Sequence, residues 1–288
     1  MKHIFIVNPT SGKGKALKAV EQIEKVCKER NIDYEINYTK SSGDATKIAR
    51  KYLFSKNIIF SVGGDGTLNE VVNGIIGSKN ILGVVPCGSG NDFYRTLEKV
   101  KEEYPVIDIG KINNKYFINT VSIGIDAEVA RNVSLMKKIK LPSSQIYNAS
   151  IVYTFAKYKF KEVEFVLNGA TKTGEYTIVT IMNGKAYGGG WVMAPNADIS
   201  DGLFDIYFVD KVKKASIPGL LLKVMKGTHE ESPHVHHRMA DRIKFKTTQK
   251  VIVGADGETL YDDEFDVRLL KHAVTIYNDK ELIKKIVD

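Results

Sequence analysis

Residues 57–77, with the sequence NIIFSVGGDGTLNEVVNGIIG, constrain the fold more than any other part of this chain. The run opens with a short apolar, β-branched stretch of the length of a buried strand, Ile58 to Val62. Three glycines around Asp65 follow, and glycine lets the backbone turn tightly and expose its N–H groups. Apolar residues then recur at helical spacing from Leu68 to Ile76. The stretch predicts a strand, a glycine loop and a helix N-terminus, an arrangement that binds phosphate.

Polar residues in this loop refine the interpretation. Thr67 with Glu70 three residues later predicts a capping box that opens the helix. Asp65 would repel an anion. We therefore expect Asp65 either to order the loop amides or to act through a bound cation.

The same order of elements recurs through the first 104 residues. Strands are predicted at 4–7, 32–39, 58–62 and 81–85, and the intervening helices include 17–26 and 43–54. This alternation predicts right-handed βαβ units and a mostly parallel sheet. Ligands of such sheets bind beyond the carboxyl ends of the strands. Three glycine-containing loops follow predicted strands, at 8–15, 63–67 and 88–92. We expect an anion site where they meet.

The pattern changes after Pro105. Strands then follow one another without intervening helices, which predicts an antiparallel sandwich or barrel. After a hairpin at 106–118, they are predicted at 162–167, 175–182, 203–209, 242–247, 251–253, 265–270 and 273–277. We place a domain boundary near residue 120, giving an α/β domain (1–120) and a β-rich domain (121–277). The weakly helical segment 278–288 is expected to rejoin the first domain.

The net charge and the composition limit the kinds of partner that this protein can bind. The net charge of +8 favours an anionic partner. Two cysteines fit a reducing compartment, and the N-terminal apolar run is too short for a signal sequence, so we expect a cytoplasmic protein.

Residues 131–161 hold one arginine, six lysines and no acidic residue. This segment is either a solvated helix face or a peripheral contact with an anionic membrane. No nucleic-acid-binding motif is present, and an exposed sheet edge in the second domain could form a homodimer.

The acidic segment 254–266, GADGETLYDDEFD, contains six carboxylates and no basic residue. It is either a solvated hairpin that turns at Asp256-Gly257 or the source of a catalytic base. The residues alone do not select one of these carboxylates.

Five motifs in order carry a family resemblance over essentially the whole chain. They are NPTSGKG from Asn8, GGDGTLNE from Gly63, GSGNDF from Gly88, NTVSIGID ending at Asp126, and ADGE from Ala255. The chain resembles the bacterial diacylglycerol kinase and lipid kinase family. The resemblance implies a Rossmann-like, NAD-kinase-like α/β domain followed by an antiparallel β-sandwich domain, with ATP and lipid meeting between them.

The resemblance also implies site residues. Contacts with ATP are expected at Asn8, Pro9, Thr10, Ser11, Gly12, Thr39, Gly64, Asp65, Gly66, Thr67, Leu68, Asn69, Glu70 and Ser89. Glu258 would be the general base, and Asp65 and Asp126 would hold the catalytic Mg²⁺. A structural metal site would use Asp198, Asp201 and the Leu203 carbonyl. Ser89 replaces the family's more usual threonine and keeps the hydroxyl.

These implications lead to an ATP- and Mg²⁺-dependent lipid kinase, and the reaction that we expect is the conversion of diacylglycerol to phosphatidic acid. Two alternatives stay open at this point. NAD kinases share GGDGT, although they do not resemble this chain in NPTSGKG or GSGNDF. A non-catalytic lipid-binding protein on the same fold is the second alternative, and the joint presence of Asp65, Asp126 and Glu258 argues against it.

Overall fold

The computed structural model describes residues 1–136, 153–154 and 157–287. Its first part alternates strands with helices, as predicted. The strands are β1 (His3–Val7), β2 (Tyr34–Tyr38), β3 (Ile58–Gly63) and β4 (Ile81–Pro86). The helices are α1 (Lys15–Glu29), α2 (Asp44–Arg50), α3 (Asp65–Ile75) and α4 (Asp92–Leu97).

These four strands form a parallel sheet in the order β4-β3-β1-β2. Helices cover both faces, so successive side chains of β1 are buried on opposite sides. Ile4 and Ile6 pack into one core with α2 and α3, whereas Phe5 and Val7 pack into another with α1. This is why the strand is apolar at every position rather than at alternate ones.

The remaining strands are mostly antiparallel, also as predicted. They are β5 (Val106–Ile112), β6 (Lys115–Phe117), β7 (Thr120–Gly124), β8 (Glu162–Leu167), β9 (Ala170–Met182), β10 (Ala186–Tyr187), β11 (Trp191–Val192), β12 (Phe204–Asp210), β13 (Val235–Ala240), β14 (Arg242–Ala255) and β15 (Glu258–Tyr277). Helices α5 (Ile125–Met136) and α6 (Ile217–Lys226) lie between these strands, so the prediction of strands without intervening helices was wrong, and α7 (Lys280–Val287) follows the last strand.

Strand β15 belongs to both parts of the molecule. Most of it pairs antiparallel with β14 and β5, and its last residues, Ile276 and Tyr277, pair in parallel with β4. The prediction of separate strands at 265–270 and 273–277 was wrong. One strand continues through a register shift between Leu270 and Val274, where His272 has a φ of +51°. Likewise, the strands predicted at 242–247 and 251–253 are one strand, β14, with an irregularity between them.

Helix α7 returns to the first sheet. Leu282 and Ile286 are buried in the cluster that also contains Val20 and Ile23 of α1. We keep residue 120 as the proposed domain boundary, with the C-terminal segment assigned to the first domain. In the described parts of the chain, every helix is too short or too polar to cross a bilayer.

Candidate functional site

Three glycine-containing loops meet at the carboxyl ends of β1, β3 and β4. Asn8 Nδ2 donates a 3.3 Å hydrogen bond to Thr67 Oγ1, which joins the first loop to the second. Gly12 has a φ of +58°, and a Cβ there would lie 2.1 Å from the Cys87 carbonyl oxygen. Only glycine permits this approach between the first loop and the third.

The second and third loops touch backbone to backbone. A Cβ added to Gly88 would lie 2.4 Å from Gly64 Cα. The structure therefore brings the predicted loops together, and their backbones surround the N-terminus of α3. Such a helix end presents unpaired N–H groups and the positive end of the helix dipole.

Helix α3 begins at Asp65, two residues before the predicted cap, and Gly64 occupies the N-cap position without a side-chain hydrogen bond. The predicted capping box of Thr67 and Glu70 is therefore wrong. The Glu70 carboxylate instead accepts hydrogen bonds from the backbone N–H groups of Gly43 (2.8 Å) and Ala45 (3.1 Å) at the start of α2. Thr67 already lies in the first turn of the helix, so it does not occupy the N-cap position that the predicted capping box requires.

The Asp65 and Asp92 carboxylates lie close together at the start of α3. A Cβ added to Gly90 would be 3.1 Å from Asp65 Oδ2 and 3.6 Å from Asp92 Oδ2. Burial raises the pKa of the Asp65 carboxyl, and the charge of Asp92 adds to this effect. Hydrogen bonds from backbone amides, including that of Phe93 at 3.3 Å, oppose it.

Asp92 has one satisfied and one unsatisfied oxygen. Its Oδ2 accepts a 3.0 Å hydrogen bond from the Gly189 amide, whereas its buried Oδ1 has no partner in the described part of the chain. Two repelling carboxylates with an unpaired buried oxygen fit a divalent cation, and oxygen ligands are those that Mg²⁺ prefers. Asp126 is the second residue of α5, but its side chain lies outside the described residues.

Glu258 is the first residue of β15, directly after a tight turn. Asp256 and Gly257 have φ values of +46° and +83°, and Ala255 pairs with Glu258, as in a two-residue hairpin turn of type I′. Glu258 Oε2 accepts a 2.8 Å hydrogen bond from Lys115 Nζ. The acidic segment therefore does turn at Asp256-Gly257, as one interpretation predicted.

Asp256 fixes this turn against the rest of the site. Its carboxylate accepts hydrogen bonds from the backbone amides of Ile118 (2.6 Å), Asn119 (3.0 Å) and Thr120 (2.9 Å). It also accepts a 2.9 Å hydrogen bond from Asn69 Nδ2 of α3. The helix that begins at Asp65 and the turn that carries Glu258 are thus held by one buried carboxylate.

A cavity of about 400 Å³ connects these groups. Asp65, Asp92, Asp256 and Glu258 line it together with apolar side chains of the β-rich part. The apolar lining includes Ile125, Ala127, Val129, Ile178, Trp191, Met193, Val209, Leu220 and Val224. A cavity of this kind fits a ligand with a long apolar part and a polar group near the carboxylates.

The remaining residues predicted to contact ATP take different positions. Asn8 Oδ1 accepts hydrogen bonds from the Thr10 amide and hydroxyl, at 3.2 and 2.9 Å, which shapes the first loop. Thr39 is buried at the end of β2, where its amide bonds to the Val7 carbonyl. Ser89 is exposed in the third loop. Leu68 packs into the core, so only its backbone could meet a ligand. Pro9 and Ser11 lie in the first loop, and Gly66 is the second residue of α3.

The residues predicted for a structural metal lie in the segment before β12. Asp198 Oδ1 accepts hydrogen bonds from the amide and hydroxyl of Ser200, at 3.0 and 2.7 Å. Burial raises the pKa of Asp201, and the charges of Asp198, Asp205 and Asp108 add to this effect. No group of three His, Cys, Asp or Glu side chains suited to a metal occurs among the described residues. The structural metal site formed by Asp198, Asp201 and the Leu203 carbonyl therefore stays a prediction.

Sequence reasoning did not single out three residues that the structure brings into the site: Asp92, Asp256 and Lys115. Asp92 stands in the motif GSGNDF, where a carboxylate directly after a glycine loop was a usable signal. Asp256 was interpreted only as a turn residue. Lys115 gave no local signal, because it is 143 positions away from its partner.

The comparisons with known proteins agree with this arrangement. Residues 2–125 match the family described as diacylglycerol kinase catalytic domain, and residues 119–278 match the YegS C-terminal NAD kinase beta sandwich-like domain. A diacylglycerol kinase of Bacillus subtilis is 29% identical over 99% of this chain and 98% of its own length. One from Staphylococcus aureus is 30% identical over 88% and 85%.

A solved structure of a diacylglycerol kinase from Bacillus anthracis has a TM-score of 0.71 and 25% identity, covering 98% of both chains. Family models match both halves of the chain, and the relatives align with it over most of their own length. The geometry of the glycine loops agrees with these matches. The chain belongs to the diacylglycerol kinase family of lipid kinases.

Proposed function

We propose that this protein transfers the terminal phosphoryl group of ATP to the free hydroxyl of diacylglycerol, forming phosphatidic acid and ADP. One observation carries the proposal. A single cavity has Asp65, Asp92 and Glu258 among its lining and an apolar interior in the β-rich part. Kinase chemistry needs the first feature, and a lipid substrate needs the second. The names of the matching relatives support the same substrate.

The nucleotide phosphates would lie on the three glycine loops. Backbone N–H groups at the start of α3 would bind the phosphate oxygens, and Asn8 to Gly12, Thr39, Gly64 to Glu70 and Ser89 supply the predicted contacts with ATP. Asp65 and Asp126 are proposed to hold Mg²⁺, and the position of Asp92 makes it a further candidate ligand. When bound, Mg²⁺ would neutralise the charge of the phosphates.

Glu258 would act as the general base. An alcohol is a weak nucleophile at neutral pH, and a carboxylate within hydrogen-bond reach accelerates its attack. The hydroxyl proton would pass to Glu258 as the lipid oxygen forms its bond to the terminal phosphorus. The bond from that phosphorus to the bridging oxygen breaks, and ADP leaves with the electron pair.

The proposal includes two further features. Peripheral contact with an anionic membrane is supported by the charge of 131–161, of which Lys157 and Lys159 are described and exposed. Residues 137–152 and 155–156 of that segment lie outside the described residues. A homodimer would form through β13, the last strand in the order of its sheet. Vesicle sedimentation and analytical ultracentrifugation test these two features.

The test is phosphate transfer from radiolabelled ATP to a panel of lipids in mixed micelles. The panel contains diacylglycerol, a sphingoid base, phosphatidylglycerol and an undecaprenol-like alcohol, with NAD assayed in parallel. We expect diacylglycerol to be the preferred acceptor, and the comparisons do not favour NAD. Glu258→Gln should lower kcat by about 10²- to 10⁴-fold.

Glu264→Gln is the matched control, because Glu264 is an exposed carboxylate of the same strand and does not line the cavity. Equal activity of Glu258→Gln and the wild type would remove Glu258 from its role. Lipid binding without ATP turnover would indicate a non-catalytic protein and would overturn the proposal.

A further inference from the structure

The Glu258 carboxylate is paired with a lysine that no motif of the chain identified. Lys115 Nζ lies 2.8 Å from Glu258 Oε2, and within the described part of the chain only this carboxylate oxygen is bonded. The side chains are 53% and 41% exposed. Glu258 lines the cavity and Lys115 does not, so the lysine contacts the carboxylate from outside the cavity lining.

The backbone of Lys115 is fixed from the β15 side. Ile112 pairs with Lys115 across a two-residue turn in which Asn113 has a φ of +50°. Asn113 Oδ1 accepts a 2.9 Å hydrogen bond from the Asp266 amide, and the Asn113 amide donates to the Asp266 carbonyl at 3.0 Å. The turn that carries Lys115 is thus attached to the strand that begins at Glu258.

The backbone is also fixed from the α3 side. Asn73 Nδ2 donates a 2.9 Å hydrogen bond to the Tyr116 carbonyl, and Asn73 Oδ1 accepts one of 3.1 Å from the Tyr116 amide. Asn69 Nδ2 donates to the same carbonyl at 3.1 Å. Lys115 therefore sits between the helix that begins at Asp65 and the strand that begins at Glu258.

The ion pair is a poor candidate for a stabilising contact. Pairs with this exposure contribute little to folding, because water and salt screen them and two long side chains lose freedom. The backbone of Lys115 is held on both sides, yet its ion pair contributes little stability. The position of Lys115 is therefore better explained by its effect on the Glu258 carboxylate.

We propose that Lys115 is a positioning residue for the phosphoryl transfer. Its ammonium group holds Glu258 Oε2 in place, and Oε1 is left to accept the proton of the lipid hydroxyl. The inference rests on the proposed role of Glu258 as the general base. It extends that role by naming the group that orients the base.

The experiment compares Lys115→Met, Lys115→Arg and the wild type in the full chain, with diacylglycerol in mixed micelles. Lys115→Met should lower kcat by about tenfold to a hundredfold, as expected when a reacting group is misplaced. The KM for ATP should change less than twofold, because Lys115 is not expected to contact the nucleotide. Lys115→Arg keeps the charge and should recover most of the kcat.

Lys211→Met is the matched control. Lys211 pairs with Glu175 at 2.6 Å, and the two side chains are 49% and 40% exposed, close to the values of the Lys115–Glu258 pair. Loss of this pair should leave kcat unchanged. Thermal unfolding of both methionine variants should match that of the wild type, which separates positioning from a folding defect.

A double-mutant cycle decides the mechanism. In a Glu258→Gln background, Lys115→Met should have no further effect on kcat, because both variants remove the same interaction. A full additional loss there, or a large rise in the KM for ATP, would mean that Lys115 binds phosphate and would overturn the inference. Wild-type kcat in Lys115→Met would overturn it as well, while leaving the proposed function intact. An inactive wild type would overturn the proposed function itself.

Discussion

Asn69 and Asp256 lie 187 positions apart in the chain, and Asn69 Nδ2 donates a 2.9 Å hydrogen bond to Asp256 Oδ2 in the buried centre of the site. Asn69 belongs to the helix that follows the glycine loop, and Asp256 to the turn before Glu258. This bond therefore joins the proposed phosphate site to the proposed base. A change in it should alter the distance between the two reacting groups.

Replacing Asn69 with alanine should lower both stability and activity. The substitution leaves the buried Asp256 oxygen with one donor fewer, which costs about 1–3 kcal/mol of unfolding free energy. We also expect kcat to fall about tenfold, because Glu258 loses its fixed position relative to α3. Urea unfolding and steady-state kinetics measure the two effects.

Asn37→Ala is the control for this variant. Asn37 bonds Glu35 and Tyr52 on the first sheet, away from the cavity. It should cost some stability and leave kcat unchanged. A similar loss of kcat in both variants would mean that the activity follows stability alone.

Asp65→Asn should separate stability from function. Burial raises the pKa of Asp65 in the folded protein above its ordinary value of 3.8. Between the pKa of Asp65 in the unfolded chain and its higher pKa in the folded protein, the folded state binds more protons than the unfolded state. The stability of the metal-free protein therefore falls as the pH rises through this window. The asparagine of Asp65→Asn does not ionise, so this loss of stability is absent in the variant.

In metal-free buffer near pH 7, we therefore expect Asp65→Asn to have a higher Tm than the wild type and a flatter dependence of stability on pH. Its kcat should fall about a hundredfold or more, because a charged group of the site is lost. Differential scanning calorimetry across the acidic range measures the stability. Asp33→Asn, an exposed site, should change neither quantity, and a lower Tm in Asp65→Asn would contradict the expectation.

Gly88→Ala should weaken nucleotide binding. The new Cβ would lie 2.4 Å from Gly64 Cα and 2.8 Å from Asn91 Oδ1, so the second and third loops must separate. Such overpacking costs about 1–3 kcal/mol. The KM for ATP should rise more than the KM for lipid. Gly219→Ala in α6, where a Cβ meets no atom within 4 Å, should leave the KM for ATP unchanged.

Asp201→Asn tests the proposed structural metal. If Asp198, Asp201 and the Leu203 carbonyl bind a cation, millimolar Mg²⁺ should raise the Tm of the wild type by mass action. Asp201→Asn should reduce this rise to the part that the proposed Mg²⁺ site at Asp65 and Asp126 contributes, since it removes one of two charged ligands of the structural site. A thermal shift titration with Mg²⁺ and with K⁺ measures the effect. An equal rise in both proteins would exclude Asp201 as a ligand.

The sequence by itself determined the kind of element at most positions. Short apolar runs separated by glycine loops and amphipathic helices predicted the parallel sheet, and the later succession of strands predicted the antiparallel part. These features are readable because strand and helix preferences depend on neighbours a few positions away. For the same reason the five motifs were enough to indicate a lipid kinase family.

Only the tertiary structure decided which side chains face one another. It placed Lys115 against Glu258 and Asp92 beside Asp65, and it directed Glu70 to the start of α2 rather than to its own helix. It also made one strand, β15, serve both sheets. Such pairings depend on which strands become neighbours and on how loops pack, and these are set by burial across the whole chain rather than by local preference.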